Sequence, residues 1–150
     1  MSASEVPELL VCDTSFVGLV AQRQRHPERV AHWDPDVLTR IDRARNAISV
    51  FTLAEARAGY LIAPFSRERI AREERRLQAF GLLPLDDEVL AEWVRLRAAT
   101  TDRTLPHNDL WIAATAAAHE AALVSCDRHH LHLRELLPEV IYLPARPDAH

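Results

Sequence analysis

The chain is 150 residues long, 48% apolar and 27% charged, which suits one globular domain with its own core and leaves no room for a second. A formal net charge of −4 excludes a protein that wraps nucleic acid by bulk electrostatics, and no apolar run approaches the roughly 20 residues of a membrane-spanning helix. The 18 basic residues are all Arg, each a planar fork able to hold a phosphate bidentately, a bias that genome base composition explains equally well.

From Met1 to Glu8 the chain carries Glu5 and Glu8 and no basic residue, so it lacks the charged front of a secretory signal and points to the cytoplasm. A short apolar strand, Leu9 to Cys12, then runs into Asp13, and helices are predicted near Ser15 to Arg23 and Pro35 to Arg45. A second strand, Ala47 to Val50, leads to Thr52-Leu53-Ala54-Glu55 and a helix over Leu53 to Ala63, with Thr52 as its N-cap. Ser66 is the expected cap of an Arg-rich helix from Arg67 to Phe80, followed by a strand at Leu82 to Pro84 and a helix from Asp87 to Ala99 capped by Asp86. Asn108 is the expected cap of a helix from Asp109 to Glu120. Strands at Ala122 to Ser125 and Val140 to Leu143 flank a short helix from Arg128 to Leu137, and residues 144–150 form a loose tail behind a domain of residues 1–143. Strand and helix alternate, which means an α/β sheet sandwiched between helices.

Four acids stand at these boundaries: Asp13, Glu55, Asp109 and Asp127. In an α/β sheet, residues at strand ends and helix starts converge on one edge, and gathered carboxylates repel unless a cation joins them. Hard oxygen donors suit Mg²⁺ or Mn²⁺, so the pattern points to a metal-dependent nuclease. Each acid also has a local structural reading. Asp13 and Asp127 suit helix or turn caps, Glu55 suits a capping box with Thr52, and Asp109 suits the positive end of a helix dipole. Three glycines leave no phosphate loop and neither G-x-G-x-x-G nor G-x-x-x-x-G-K-[ST] occurs, which removes dinucleotide and P-loop readings.

Cys12 and Cys126 each precede a key aspartate and read as reduced core thiols. His129, His130 and His132 have a spacing that fits no closed zinc site, His107 reads as a surface-loop residue, and Trp111 as core packing.

The pieces Val11-Cys12-Asp13-Thr14-Ser15, Ile48 through Gly59, Asn108-Asp109-Leu110-Trp111-Ile112-Ala113-Ala114-Thr115-Ala116 and Val124-Ser125-Cys126-Asp127 together resemble a PIN-domain ribonuclease. Within that group the chain is similar to the VapC toxins of bacterial toxin–antitoxin modules. The resemblance implies a three-layer α/β/α domain with a short parallel sheet of order 3-2-1-4-5. It also implies an Mg²⁺- or Mn²⁺-dependent endoribonuclease that cuts structured RNA such as tRNA or rRNA. A cognate antitoxin and homodimer formation are implied with it. The family's acids carry over to Asp13, Glu55, Asp109 and Asp127, and its hydroxyl to Ser15. Ser125 stands where many members have Thr, and the run His129-His130-x-His132 stands where an aromatic often follows. Asp13 and Asp109 are then the principal metal ligands, with Glu55 and Asp127 orienting water or completing a second metal position. Ser15 and Ser125 support substrate at the site. Arg69, Arg72 and Arg76, on one helix face, form a phosphate track or a partner surface, although Glu68, Glu73 and Glu74 share that helix. The competing readings are a non-catalytic RNA- or antitoxin-binding module of the same fold and a metal-dependent phosphatase.

Overall fold

A computed structural model describes residues 6–147; the chain start through Glu5 and the last three residues of the expected tail lie outside the described residues. Five parallel strands among them form one sheet in the order β3-β2-β1-β4-β5, with β1 Leu9–Cys12, β2 Arg45–Ser49, β3 Gly81–Leu83, β4 Ala122–Ser125 and β5 Val140–Tyr142. The helices are α1 Thr14–Arg25, α2 Pro35–Arg43, α3 Val50–Ile62, α4 Arg67–Leu77, α5 Asp87–Ala99 and α6 His107–Ala118, with 3-10 turns at Pro27–Val30 and Arg128–Leu133. This is the three-layer α/β arrangement and strand order expected.

The central strands read as continuous apolar runs because both of their faces are covered. Alternate residues still go to opposite sides. Leu10, Cys12, Ala122 and Val124 pack against Phe16, Trp33, Ile41 and Tyr60, while Val11 and Leu123 pack against Val89, Leu96, Leu110 and Ile112. Burying a side chain such as Leu10 or Leu123 contributes about 1.5–3 kcal/mol, so the two cores fix the register of β1 between its neighbours. Val11 stands opposite Ala47 on one side and Leu123 on the other. Phe51 of α3, Trp111 of α6 and Trp93 of α5 form a ladder of stacked rings, with centroids 5.3 Å and 5.0 Å apart. Trp111 is thus a packing residue.

Several boundaries differ from the sequence expectation, each for a local reason. Ser49, not Thr52, caps α3: its hydroxyl accepts the Thr52 amide at 3.2 Å, so the helix starts at Val50 and the second strand ends at Ser49. Thr52 lies fully buried inside the first turn, and the expected capping box with Glu55 does not form. α6 begins at His107 with Pro106 as N-cap and no side-chain cap bond, so Asn108 is a first-turn residue. The helix expected over Arg128 to Leu137 is a 3-10 turn ending at Leu133. Ser66 and Asp86 cap α4 and α5 as expected.

α6 closes on Glu120 at φ 50°, a left-handed position usually left to Gly, with the Ala121 amide reaching back to the Ala116 carbonyl at 2.9 Å. At the far end, Trp33 Nε1 donates to the Pro144 carbonyl at 2.7 Å, so the first residue of the expected tail is tied to the core. No described helix is long and apolar enough to cross a membrane.

Candidate active site

The sheet order reverses at β1 and β4, and in open parallel sheets the crevice beyond the carboxyl ends of such strands is where ligands bind. Asp13 follows β1 there, and its amide donates to the Val124 carbonyl at 2.9 Å, which draws the two strand ends together. Its carboxylate is 2% exposed. Oδ1 accepts Ser15 Oγ at 2.7 Å and the Phe16 amide at 2.9 Å, while Oδ2 accepts the Ser125 hydroxyl. Asp13 is therefore both the cap of α1 and a member of the acid group; the two readings coexist.

Glu55 faces the same crevice from α3. Thr14 Oγ1 donates to its Oε1 at 2.9 Å, linking the first turn of α1 to α3. Because Ser49 takes the capping task, the Glu55 carboxylate is released from the helix start. Asp127 caps the 3-10 turn, with Oδ1 accepting the His129 amide at 2.9 Å and lying 2.8 Å from His129 Nδ1. Burial pushes its carboxyl up, but the His129 amide and ring outweigh that and hold it below the usual carboxylate range.

Asp109 sits in the first turn of α6 and behaves in the opposite way. Burial pushes its carboxyl up; the nearby His130 ring opposes this, while the charges of Asp127, Asp13 and Glu55 push it up further. Asp13, Glu55 and Asp127 thus all act on Asp109 across one crevice. Among the described residues, no three acidic, imidazole or thiol groups already close on one point as ligands. They converge at Coulomb range.

His130 was not foreseen as a member of this group. Its ring is 2% exposed, with Nδ1 2.9 Å from Ser125 Oγ and 3.2 Å from Asp13 Oδ2. Nε2 lies 3.9 Å from Asp109 Oδ1 and has no hydrogen-bond partner among the described residues. The signal in sequence is the spacing His130, Leu133 and Leu137, all buried, while His129 and His132 are exposed.

The two serines are placed otherwise than expected. Ser125 is fully buried behind Asp13, so its hydroxyl cannot reach a substrate and instead positions the carboxylate. Ser15 also serves Asp13 and accepts the Cys126 amide at 3.0 Å, stitching α1 to the end of β4. Cys12 and Cys126 are buried free thiols; burial, with Asp13 nearby, pushes Cys126 up to about 12, which leaves it an inert packing group.

A groove of ≈ 400 Å³ lies between α1 and α4, lined in part by Arg25, Arg29, Arg69 and Arg76. Of the expected Arg face, Arg69 covers the Phe65 ring at 3.6 Å and Arg76 pairs with Glu73 at 2.5 Å; both line the groove, whereas Arg72 is exposed outside it. The reason is helix phase: the groove follows residues 69, 73 and 76 of α4.

The sequence pattern of the PIN domain matches residues 10–136. The chain belongs to the PIN-domain family. Within this family it is 35% identical over 127 residues to Ribonuclease VapC4 of Mycobacterium tuberculosis, covering 80% of this chain and 87% of that one. It is 39% identical over 130 residues to Ribonuclease VapC5 of the same organism, covering 83% and 87%. Among solved structures, a member of the VapBC family of toxin-antitoxin systems, VapBC-5 from Mycobacterium tuberculosis, superposes with a TM-score of 0.63 at 30% identity, over 91% of this chain and 99% of that one. The PIN domain here is thus of the VapC type.

Proposed function

We propose that this PIN domain is a divalent-metal-dependent endoribonuclease toxin that hydrolyses structured RNA, tRNA or rRNA, in the cytoplasm, and is held in check by a cognate antitoxin. The observation that carries this reading is that Asp13, Glu55, Asp109 and Asp127 face one crevice, where the Asp109 carboxyl is pushed up first by burial and then, against the nearby His130 ring, by the charges of the other three acids. A carboxylate group this crowded is unstable in charge unless a cation joins it, and the buried, unpartnered His130 Nε2 facing Asp109 is a second sign that a positive partner fits there.

Mg²⁺ or Mn²⁺ in this crevice supplies a Lewis acid that activates water and offsets the charge of the phosphodiester under attack. The rest falls to the chain's own groups. Asp109 and Asp13 would be the holding residues; Oδ1 of Asp13 accepts Ser15 and the Phe16 amide and Oδ2 accepts Ser125 with the His130 ring 3.2 Å away, so Asp13 would turn one of these contacts over to the ion. Glu55 keeps Oε2, and Asp127 keeps Oδ2, without a hydrogen bond among the described residues, which suits both for orienting the attacking water or a second ion. The RNA backbone enters along the α1/α4 groove, where Arg25, Arg29 and Arg69 meet phosphates.

An antitoxin that blocks cleavage has to cover this groove and crevice, and a solved relative is a member of the VapBC family of toxin-antitoxin systems. The exposed Leu90 and Val94 of α5 supply apolar surface for a homodimer.

The test is cleavage of total tRNA and rRNA by purified protein with Mg²⁺, Mn²⁺ or EDTA, beside Asp13→Asn. Discrete fragments that need metal and vanish in the variant are expected. RNA binding without cleavage under any metal would move the reading to a binding module, and turnover of a small phosphoester alone would move it to a phosphatase.

A further inference from the structure

Among the described residues three buried side-chain atoms lack a hydrogen-bond partner, Tyr60 Oη, Trp93 Nε1 and His130 Nε2, and of these His130 Nε2 is the one that faces an acid. Ser125 Oγ has a single proton, given to Asp13 Oδ2, so it must accept both the Asp127 amide at 2.9 Å and the His130 ring at 2.9 Å. Nδ1 of His130 therefore carries the ring proton, and Asp13 Oδ2 at 3.2 Å reinforces that tautomer. The other nitrogen, Nε2, then presents a lone pair in a ring that is 2% exposed, with no donor to satisfy it. What it faces is Asp109 Oδ1 at 3.9 Å, another electron pair.

Two lone pairs facing each other, the imidazole one fully buried and the carboxylate one partly so, favour a positive group between them. The gap is too long for a hydrogen bond. It is shorter than two metal–ligand bonds of about 2.1 Å laid end to end, a spacing that one ion set off the line between the donors would meet. A ligating imidazole characteristically gives its second N–H to a carboxylate or other acceptor that fixes its tautomer, and Asp13 with Ser125 stands in that place.

We propose that His130 Nε2 is a nitrogen ligand of the divalent ion held by Asp109, and that this mixed nitrogen–oxygen donor set makes the site select Mn²⁺ over Mg²⁺. The inference rests on the metal-dependent reading of the acid group. The physical basis of the preference is that Mg²⁺ takes hard oxygen donors in a near-ideal octahedron, while imidazole suits first-row transition ions.

The experiment is pulsed electron paramagnetic resonance of Mn²⁺-loaded protein, with Mn²⁺ and Mg²⁺ affinities measured by titration calorimetry. Directly bound nitrogen appears as ¹⁴N modulation, independent of any cleavage. His107 and His129 are exposed rings near Asp109 and Asp127, so the double variant His107→Gln with His129→Gln is the decisive sample. Modulation is expected to persist in it and to vanish in His130→Gln, with Mn²⁺ affinity falling at least tenfold there and Mg²⁺ affinity changing less than about threefold. Should His130→Gln fail to fold, the double variant decides alone. Bound Mn²⁺ without nitrogen coupling, or coupling lost in the double variant, overturns the proposal while leaving the metal-dependent reading intact. Failure to bind Mn²⁺ at all overturns both.

Discussion

Ser125 and Asp13, 112 positions apart in the chain, are joined by one hydrogen bond, from the Ser125 hydroxyl to Asp13 Oδ2. That hydroxyl also receives the Asp127 amide and the His130 ring, so one buried oxygen at the end of β4 ties together the residue after β1, the cap of the following turn and a ring within that turn.

Removing it leaves several buried polar groups short of a partner at once, each costing about 1–3 kcal/mol. Ser125→Ala is expected to lower Tm by several degrees and to reduce cleavage at least tenfold by letting Asp13 turn. Thermal melting and RNA cleavage read the two effects; a variant as stable and as active as the parent means Asp13 is held by other contacts.

Asp109 trades stability for its place in the crevice. Its folded-state pKa is raised, first by burial, above the unfolded value of 3.8, so the folded state holds the proton more tightly. Below pH 3.8 both states carry it and no penalty exists; as pH rises through the folded pKa the penalty develops, and at neutral pH it is complete. Asp109→Asn in metal-free protein is expected to raise Tm at pH 7 and to leave it unchanged near pH 3. If the site holds a divalent ion, Mn²⁺ is expected to raise the Tm of the parent and not that of the same variant. Melting curves across pH, with and without Mn²⁺, check both; a variant less stable at pH 7 contradicts the assignment of strain to this carboxyl.

The α1/α4 groove makes a graded prediction. Arg29→Ala and Arg69→Ala are each expected to weaken binding across RNA sequences alike and to lower the slope of log K against log salt by about 0.7–0.9, leaving the rate at saturating RNA within about twofold. Arg72→Ala, outside the groove, serves as the comparison and should change little. Filter binding at several salt concentrations distinguishes them.

Glu120 holds a left-handed backbone that costs an L residue about 1 kcal/mol. Glu120→Gly is expected to raise Tm by about 2–4 °C without altering cleavage. A lower Tm would mean that the added chain freedom of Gly outweighs the relieved strain.

Much of this was legible along the chain because it depends on local pattern. The apolar runs before Asp13 and Asp127 mark buried parallel strands whose ends must lie close together, and the alternation of elements leads to the sheet. Glu55 was ambiguous because Thr52 and Glu55 have capping-box spacing, and only the strand end at Ser49, which supplies a better-placed hydroxyl, resolves it. Asp109 was masked in the same way by the helix start. His130 was illegible for a different reason: a ring turned inward among three neighbouring histidines is decided by the packing of Leu133 and Leu137 beneath the turn, not by residue type. Ser125 was misassigned because a hydroxyl beside an acid looks the same in sequence whether it faces substrate or sits behind the carboxylate.

The ladder of Phe51, Trp111 and Trp93 has a use beyond packing. Two indoles 5.0 Å apart couple their excited states, and one of them lies two residues from Asp109 on the same helix. The third tryptophan, Trp33, is locked to Pro144 on the opposite side of the sheet. The protein thus carries a built-in chromophore pair beside its acid crevice, with a distant indole as internal reference, and what happens at Asp109 can be followed by circular dichroism and fluorescence without attaching a label.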